Sequence, residues 1–145
     1  MNLAIEAARE GIENGEYPFG CCIVRKDVVI VTNNTCFSDK NILHHAEMNA
    51  IQKAIEIMGQ IRLTQATIYA TVEPCMMCMG AINWAHIQRL VYGIGIEASV
   101  NTNFKEVSIT SRKAAHYFPY SIEIVSGVCK KQCDELLEMW KKRGV

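Results

Sequence analysis

Two short stretches of this chain carry side chains able to hold a metal and move protons: HHAE at 44–47 and PCMMC at 74–78. Cys75 and Cys78 have the C-x2-C spacing that lets two thiolates converge on one zinc ion, and a neutral imidazole from the His44–His45 pair supplies a third ligand. Three protein ligands leave the fourth zinc position to water, which separates a catalytic site from a closed structural one. Two thiolates and a neutral imidazole cancel the divalent charge, so this shell acidifies its water less than three imidazoles would. A base must then stand beside the open position. Glu47 fits that task better than it fits a fourth ligand, because a carboxylate there takes the water's proton and passes protons onward.

Periodicity shows which elements place these groups. Residues 3–14 are good helix formers with Ala4, Ala8, Gly11 and Ile12 on one face and Gly15 as the stop. FGCCIVRKDVVIVT reads as two Val/Ile-rich strands joined by a tight turn near Arg25–Asp27, and a polar loop follows over 33–41. Ile51, Ala54, Ile55 and Met58 recur at helical spacing with Gly59 behind them, so a second helix begins close to His45. His45 and Glu47, two apart, do not face each other inside a helix and converge only beyond its first turn. A strand at 66–72, a short helix at 77–85 and a strand at 89–94 come next, with Cys75 and Cys78 at the start of that helix, where its dipole favours thiolates. Residues 95–119 show no clear period. SIEIVS gives a last strand, and Cys129, Cys133, Leu136, Leu137 and Trp140 mark a closing amphipathic helix. Strands alternating with helices imply parallel pairing beside the hairpin: an α/β fold, a three-layer α/β/α sandwich around a central mixed five-stranded sheet.

The composition excludes several classes. A chain of 145 residues, 50% hydrophobic, suits one domain spanning 1–145, and no stretch approaches membrane-spanning length. The N-terminus lacks the apolar core of a signal peptide, so a cytoplasmic protein without membrane association is expected. Fifteen basic and fifteen acidic side chains give a net charge of zero, which offers nucleic acid little attraction and favours a small-molecule substrate. Seven cysteines are read as thiols or ligands rather than a disulfide framework. Cys21 and Cys22, adjacent in a strand, point to opposite faces and cannot clasp one ion. Cys129 and Cys133 lie on the apolar stripe of the closing helix, and Cys36 is a loop thiol.

H-x-E followed by P-C-x-x-C is the signature of the zinc-dependent nucleobase and nucleoside deaminases. The chain resembles their branch of guanine deaminase, cytosine deaminase and tRNA adenosine deaminase through PFGCCIV, NN, HAEMNAI, TIYATVEPCMMCMGAINWA and VYG. The resemblance implies one Zn2+ per chain held by His45, Cys75 and Cys78, which leaves His44 as a loop residue, and Glu47 as proton shuttle. It further implies that Asn34 and the backbone N–H of Ala46 contact the base, and that a homodimer forms. Phe19 and Trp84 suit either a core or a stacking surface, and the likeness of GAINWA to guanine deaminase inclines Trp84 towards the pocket. The implied activity is hydrolytic deamination of a free aminated heterocycle by a zinc-bound hydroxide, releasing ammonia. Guanine is the first choice of substrate, with cytosine or tRNA adenosine as alternatives and an inactive zinc-stabilised binding module as the reading from another class. Glu106 in TNFKEV stands where guanine deaminases carry one of two acids, Lys105 replaces the other, and the glycine-rich elements of the tRNA enzymes are absent.

Overall fold

In the computed structural model, which describes residues 1–102, 104 and 106–143, helix α1 (Asn2–Glu13) leads into an antiparallel ribbon of β1 (Gly20–Arg25) and β2 (Val28–Asn33). The turn is two residues long, and Lys26 takes the positive φ, 52°, that such tight hairpins use. Helix α2 (Ala46–Met58) ends at Gly59 with φ 63°, the left-handed C-terminal cap that the sequence predicts. There follow β3 (Thr67–Val72), α3 (Met76–Trp84), β4 (Arg89–Ile94), the single-turn helices α4 (Ile96–Val100) and α5 (Ser111–Ala115), β5 (Glu123–Ser126) and α6 (Lys130–Lys141).

The five strands order as β2-β1-β3-β4-β5. β1 runs antiparallel to both its neighbours, whereas β3, β4 and β5 are parallel, because each of those is reached by a crossover rather than a hairpin. Two apolar clusters make up the core. Cys21, Ile23, Ile68 and Leu90 face α2, α3 and α5 together with Ala50, Ala54, Met79, Ile82 and Ala114. Val72 and Ile94, at the C-terminal ends of β3 and β4, cluster with Ile5, Ala8 and Ile12 of α1 and Cys133, Leu136 and Leu137 of α6. The three-layer α/β/α sandwich with a mixed five-stranded sheet is therefore the observed architecture. Two glycines permit its closest approaches. A Cβ at Gly20 would run into the Ala4 carbonyl oxygen of α1, and one at Gly93 into the Cys133 sulfur of α6.

The differences from the sequence reading are local. α4 and α5 are too short for a 3.6-residue period to register, so 95–119 carried no signal. β5 starts at Glu123 rather than Ser121, because pairing with β4 begins at Arg89 and Glu123. No helix among the described residues is long and apolar enough to cross a membrane.

Candidate metal and catalytic site

The extended backbone of His45 and of Cys75 ends where α2 and α3 begin, so each is the N-cap of its helix, and neither makes a side-chain capping hydrogen bond. Their side chains turn inwards instead. With Cys78 one turn into α3, the three potential ligand atoms form a triangle: Cys75 Sγ to Cys78 Sγ, Cys75 Sγ to His45 Nδ1 and Cys78 Sγ to His45 Nδ1 are each 3.7 Å. Bond lengths of about 2.3 Å for sulfur and about 2.05 Å for nitrogen around tetrahedral zinc require S···S near 3.8 Å and S···N near 3.6 Å. The triangle fits zinc without rearrangement. Its side-chain types and its geometry agree, and these three form the metal-ligand cluster of the described residues.

The charge state is set by the same neighbours. Donation from the Cys78 thiol lowers Cys75 to about 4, with His45 adding to the effect against an opposing desolvation. Cys78, deeply buried and giving its proton to that bond, is pushed up. The pair shares one proton, and zinc uptake must expel it, because only thiolates ligate. Hydrogen bonding to Cys75 raises His45 above the usual histidine range, opposed by burial.

Glu47, in the first turn of α2, is 7% exposed. Burial pushes its carboxyl up to about 7, the nearby His45 pulling the other way. A carboxyl near neutrality gives and takes protons with little cost in either direction. It opens onto a cleft lined by Phe19, His45, Glu47, Val72, Glu73, Cys75 and Glu106. The cleft lies at the C-terminal end of β3, where ligands of α/β folds commonly sit.

His44 is placed away from the triangle. Its Nδ1 lies 2.7 Å from Asp39 Oδ2 and its Nε2 2.9 Å from Asn41 Nδ2, so both ring nitrogens are engaged in the polar loop. Phe19 lines the cleft and packs on Phe104, ring centroids 5.0 Å apart. Asn34 is fully buried beside it. Its backbone N–H donates to the Phe19 carbonyl (3.0 Å), and its Oδ1 accepts from the Cys36 N–H (3.0 Å). One amide hydrogen faces the Cys36 sulfur at 3.4 Å, which leaves the other free to donate. Ala46, the first residue of α2, is buried, and its carbonyl accepts from Thr32 Oγ1 at 2.7 Å. Glu106 lines the cleft, and burial raises its carboxyl. Lys105 lies outside the described residues.

Trp84 is a correction. The chain does not bring it to this cleft: it sits at the far end of α3 from Cys75, 81% exposed, beside Ile51, Ile55, Ile61 and Arg62. A helix of nine residues separates its two ends by about 13 Å. A one-dimensional likeness of GAINWA carried no information on that distance.

Three further polar residues, of which Glu73 lines the cleft, hold the surrounding backbone and were not singled out from the sequence. Glu16 accepts from the Phe37 N–H (3.0 Å) and the Ser38 N–H (2.7 Å). Asn49, inside HAEMNAI, donates to the Asn33 carbonyl and to Thr35 Oγ1, each 3.0 Å. Glu73, in the EPC stretch and 3% exposed, accepts from the Ile96 N–H (3.0 Å), the Ser111 N–H (2.7 Å) and Ser111 Oγ (2.5 Å). Their only sequence signal is a carboxylate or amide beside an apolar element, which any surface also shows.

An α/β/α sandwich whose helix starts converge a histidine and two thiols on a zinc-sized triangle, with a buried carboxyl beside it, defines a zinc-dependent deaminase-type domain. The family model of the cytidine and deoxycytidylate deaminase zinc-binding region matches residues 1–94, and the chain belongs to that family. It is 33% identical to the tRNA-specific adenosine deaminase of Agrobacterium fabrum over 141 residues, covering 97% of this chain and 90% of that one. A solved structure from work on A-to-I editing by tRNA:A34 deaminases superposes with a TM-score of 0.82 at 31% identity, over 94% of this chain and 96% of that one. Guanine deaminase from Bacillus subtilis superposes with a TM-score of 0.69 at 31% identity, over 71% and 67%.

Proposed function

We propose that this chain, as one domain over 1–145, hydrolytically deaminates a free aminated purine-type base, guanine before other rings. Water adds at the amine-bearing carbon, a C–O bond forms, the C–N bond breaks and ammonia leaves. When bound by His45, Cys75 and Cys78, zinc supplies acidity to a water at its open position. Glu47 does the proton work: a carboxyl oxygen accepts a proton from the attacking water, returns it to a ring nitrogen, and delivers the second to the departing amine. Phe19 offers a face for the ring. The free Asn34 amide hydrogen and the N–H of Ala46 at the start of α2 offer donors for its acceptors.

The observation that carries the guanine reading is Glu106 in the same cleft as Glu47 and His45. A carboxyl there accepts hydrogen bonds, and guanine presents a ring N–H and an amino group side by side, whereas adenine presents its ring nitrogens as acceptors. The second reading, deamination of adenosine in tRNA, is supported by relatives bearing that name, 28–33% identical over nearly the whole chain. The net charge of zero weighs against tight binding to a phosphate backbone. A homodimer in the cytoplasm belongs to the same proposal, the exposed apolar surface around Trp84 and Ile61 supporting the dimer.

Ammonia release from guanine, adenine, cytosine and an anticodon stem-loop carrying adenosine at the wobble position tests these readings side by side. Guanine turnover with an inert stem-loop is expected. Turnover of the stem-loop alone would replace guanine by the second reading. One zinc per chain without ammonia from any of the four would identify a binding module.

A further inference from the structure

We propose that Glu73 is a positioning residue that sets where Glu106 stands in the cleft, by holding both ends of the excursion between β4 and α5 on one carboxyl group. Its Oε2 accepts from the N–H of Ile96, where that excursion leaves the sheet. Its Oε1 accepts from both the N–H and the hydroxyl of Ser111, where α5 ends the excursion. Glu106 lies between those two anchor points. The proposal rests on the reading of Glu106 as the group that receives the substrate's N–H donors.

Three features make this clamp specific. Glu73 is itself fixed, because its N–H donates to the Ile94 carbonyl at 2.8 Å, continuing the β3–β4 ladder by one residue. It is buried to 3% exposure, so water does not compete for its oxygens, and charge-assisted bonds at a carboxylate are the stronger kind. Gly95 lets the backbone pass close: a Cβ there would lie 3.6 Å from Glu73 Oε2 and 2.6 Å from Glu97 Oε2. Among the described residues between the anchors, Ile109 packs against one core and Ala98 and Phe104 against the other. Ser99 Oγ donates to the Ile96 carbonyl at 2.7 Å and stands 3.5 Å from Glu106 Oε2, which leaves the Glu106 carboxyl open to a ligand. Phe104 packs on Phe19 and Tyr17 at the cleft edge. Closing a chain excursion costs conformational entropy, and a single buried acceptor that binds both ends offsets that cost at one point. Glu73 is joined to Cys75 through Pro74, so the same stretch that delivers a metal ligand also delivers the clamp.

The test uses the zinc-loaded full chain with Ser111→Ala and Glu73→Gln, each made in the wild type and in the Glu106→Gln background. Amide hydrogen exchange is followed in peptides covering 96–111, and KM and kcat are measured for guanine. Ser111→Ala leaves the stretch leading to Cys75 intact and serves as the control should Glu73→Gln lose zinc. Loss of a bond to this buried carboxyl is expected to speed exchange in 96–111 roughly tenfold while α2 stays protected. KM for guanine rises severalfold with kcat nearly kept, and that rise vanishes in the Glu106→Gln background. Unchanged exchange in both variants overturns the proposal whatever the substrate. A KM rise of equal size with and without Glu106 also overturns it, since the effect then does not pass through that residue. If Glu106→Gln alone leaves guanine kinetics untouched, the guanine reading fails instead, and the exchange result by itself upholds or overturns the clamp.

Discussion

The two sides of the cleft are built by different means. On the metal side, His45, Cys75 and Cys78 come from the starts of two regular helices, and both helices pack through apolar faces onto the sheet. On the opposite side, Phe19 and Glu106 come from irregular backbone, held by polar side chains: Glu16 and Asn49 tie down the loop before α2, and Glu73 ties down the excursion after β4. Chemistry common to a family belongs on the rigid helix starts. Selection among substrates belongs on loops, whose residues change without disturbing a core.

Breaking the metal side should have the largest effects. Cys78→Ser is expected to lose zinc, turnover and thermal stability together, read by metal analysis, ammonia release and melting, because metal binding is coupled to folding. In the unsubstituted chain zinc affinity should fall as pH falls: the Cys78 thiol is held protonated above its ordinary range, so a proton competes with the ion, and pH-stat titration would record its release on zinc addition. Retention of one zinc per Cys78→Ser chain would break the comparison. Glu47→Gln should keep zinc and the fold yet lower kcat by about 10²- to 10⁴-fold. Near wild-type ammonia release from that variant would remove the shuttle role.

On the substrate side the expected effects are smaller. Glu106→Gln should raise KM for guanine about tenfold with zinc content unchanged, since one acceptor of a bidentate contact is lost. His44→Ala, which removes a half-exposed contact with Asp39 and nothing at the cleft, should change folding stability by less than about 1 kcal/mol, read by denaturant unfolding, and leave zinc in place. Zinc loss from the His44 variant would show that the two histidines exchange roles.

Much of the metal side is legible in the sequence. C-x-x-C at a helix start and H-x-E at another are constrained by ligand geometry, which leaves few spacings that work. Glycine at 59 and the Val/Ile-rich strands marked the elements for the same reason: local sterics decide them. The other side was less legible because its determinants are long-range. Glu73 meets Ser111, and Glu16 meets Ser38, only after the sheet has formed, and no local pattern encodes such pairs. Trp84 shows the opposite error. Its neighbours in sequence are those of a pocket residue, yet the length of α3 carries it to a different surface.

His45 and Cys75 cap their helices without bonding the free N–H groups, and both direct their side chains to one point. The spacing of α2 and α3 at that end, held by the packing of both helices in one core, already matches what coordination bonds would require. Residues 59–66 are themselves anchored: Leu63 and Ala66 are buried in the core, and the Leu63 N–H donates to the Ala85 carbonyl at 2.6 Å. Zinc, when bound by His45, Cys75 and Cys78, would fasten the starts of two helices whose alignment the core has already set.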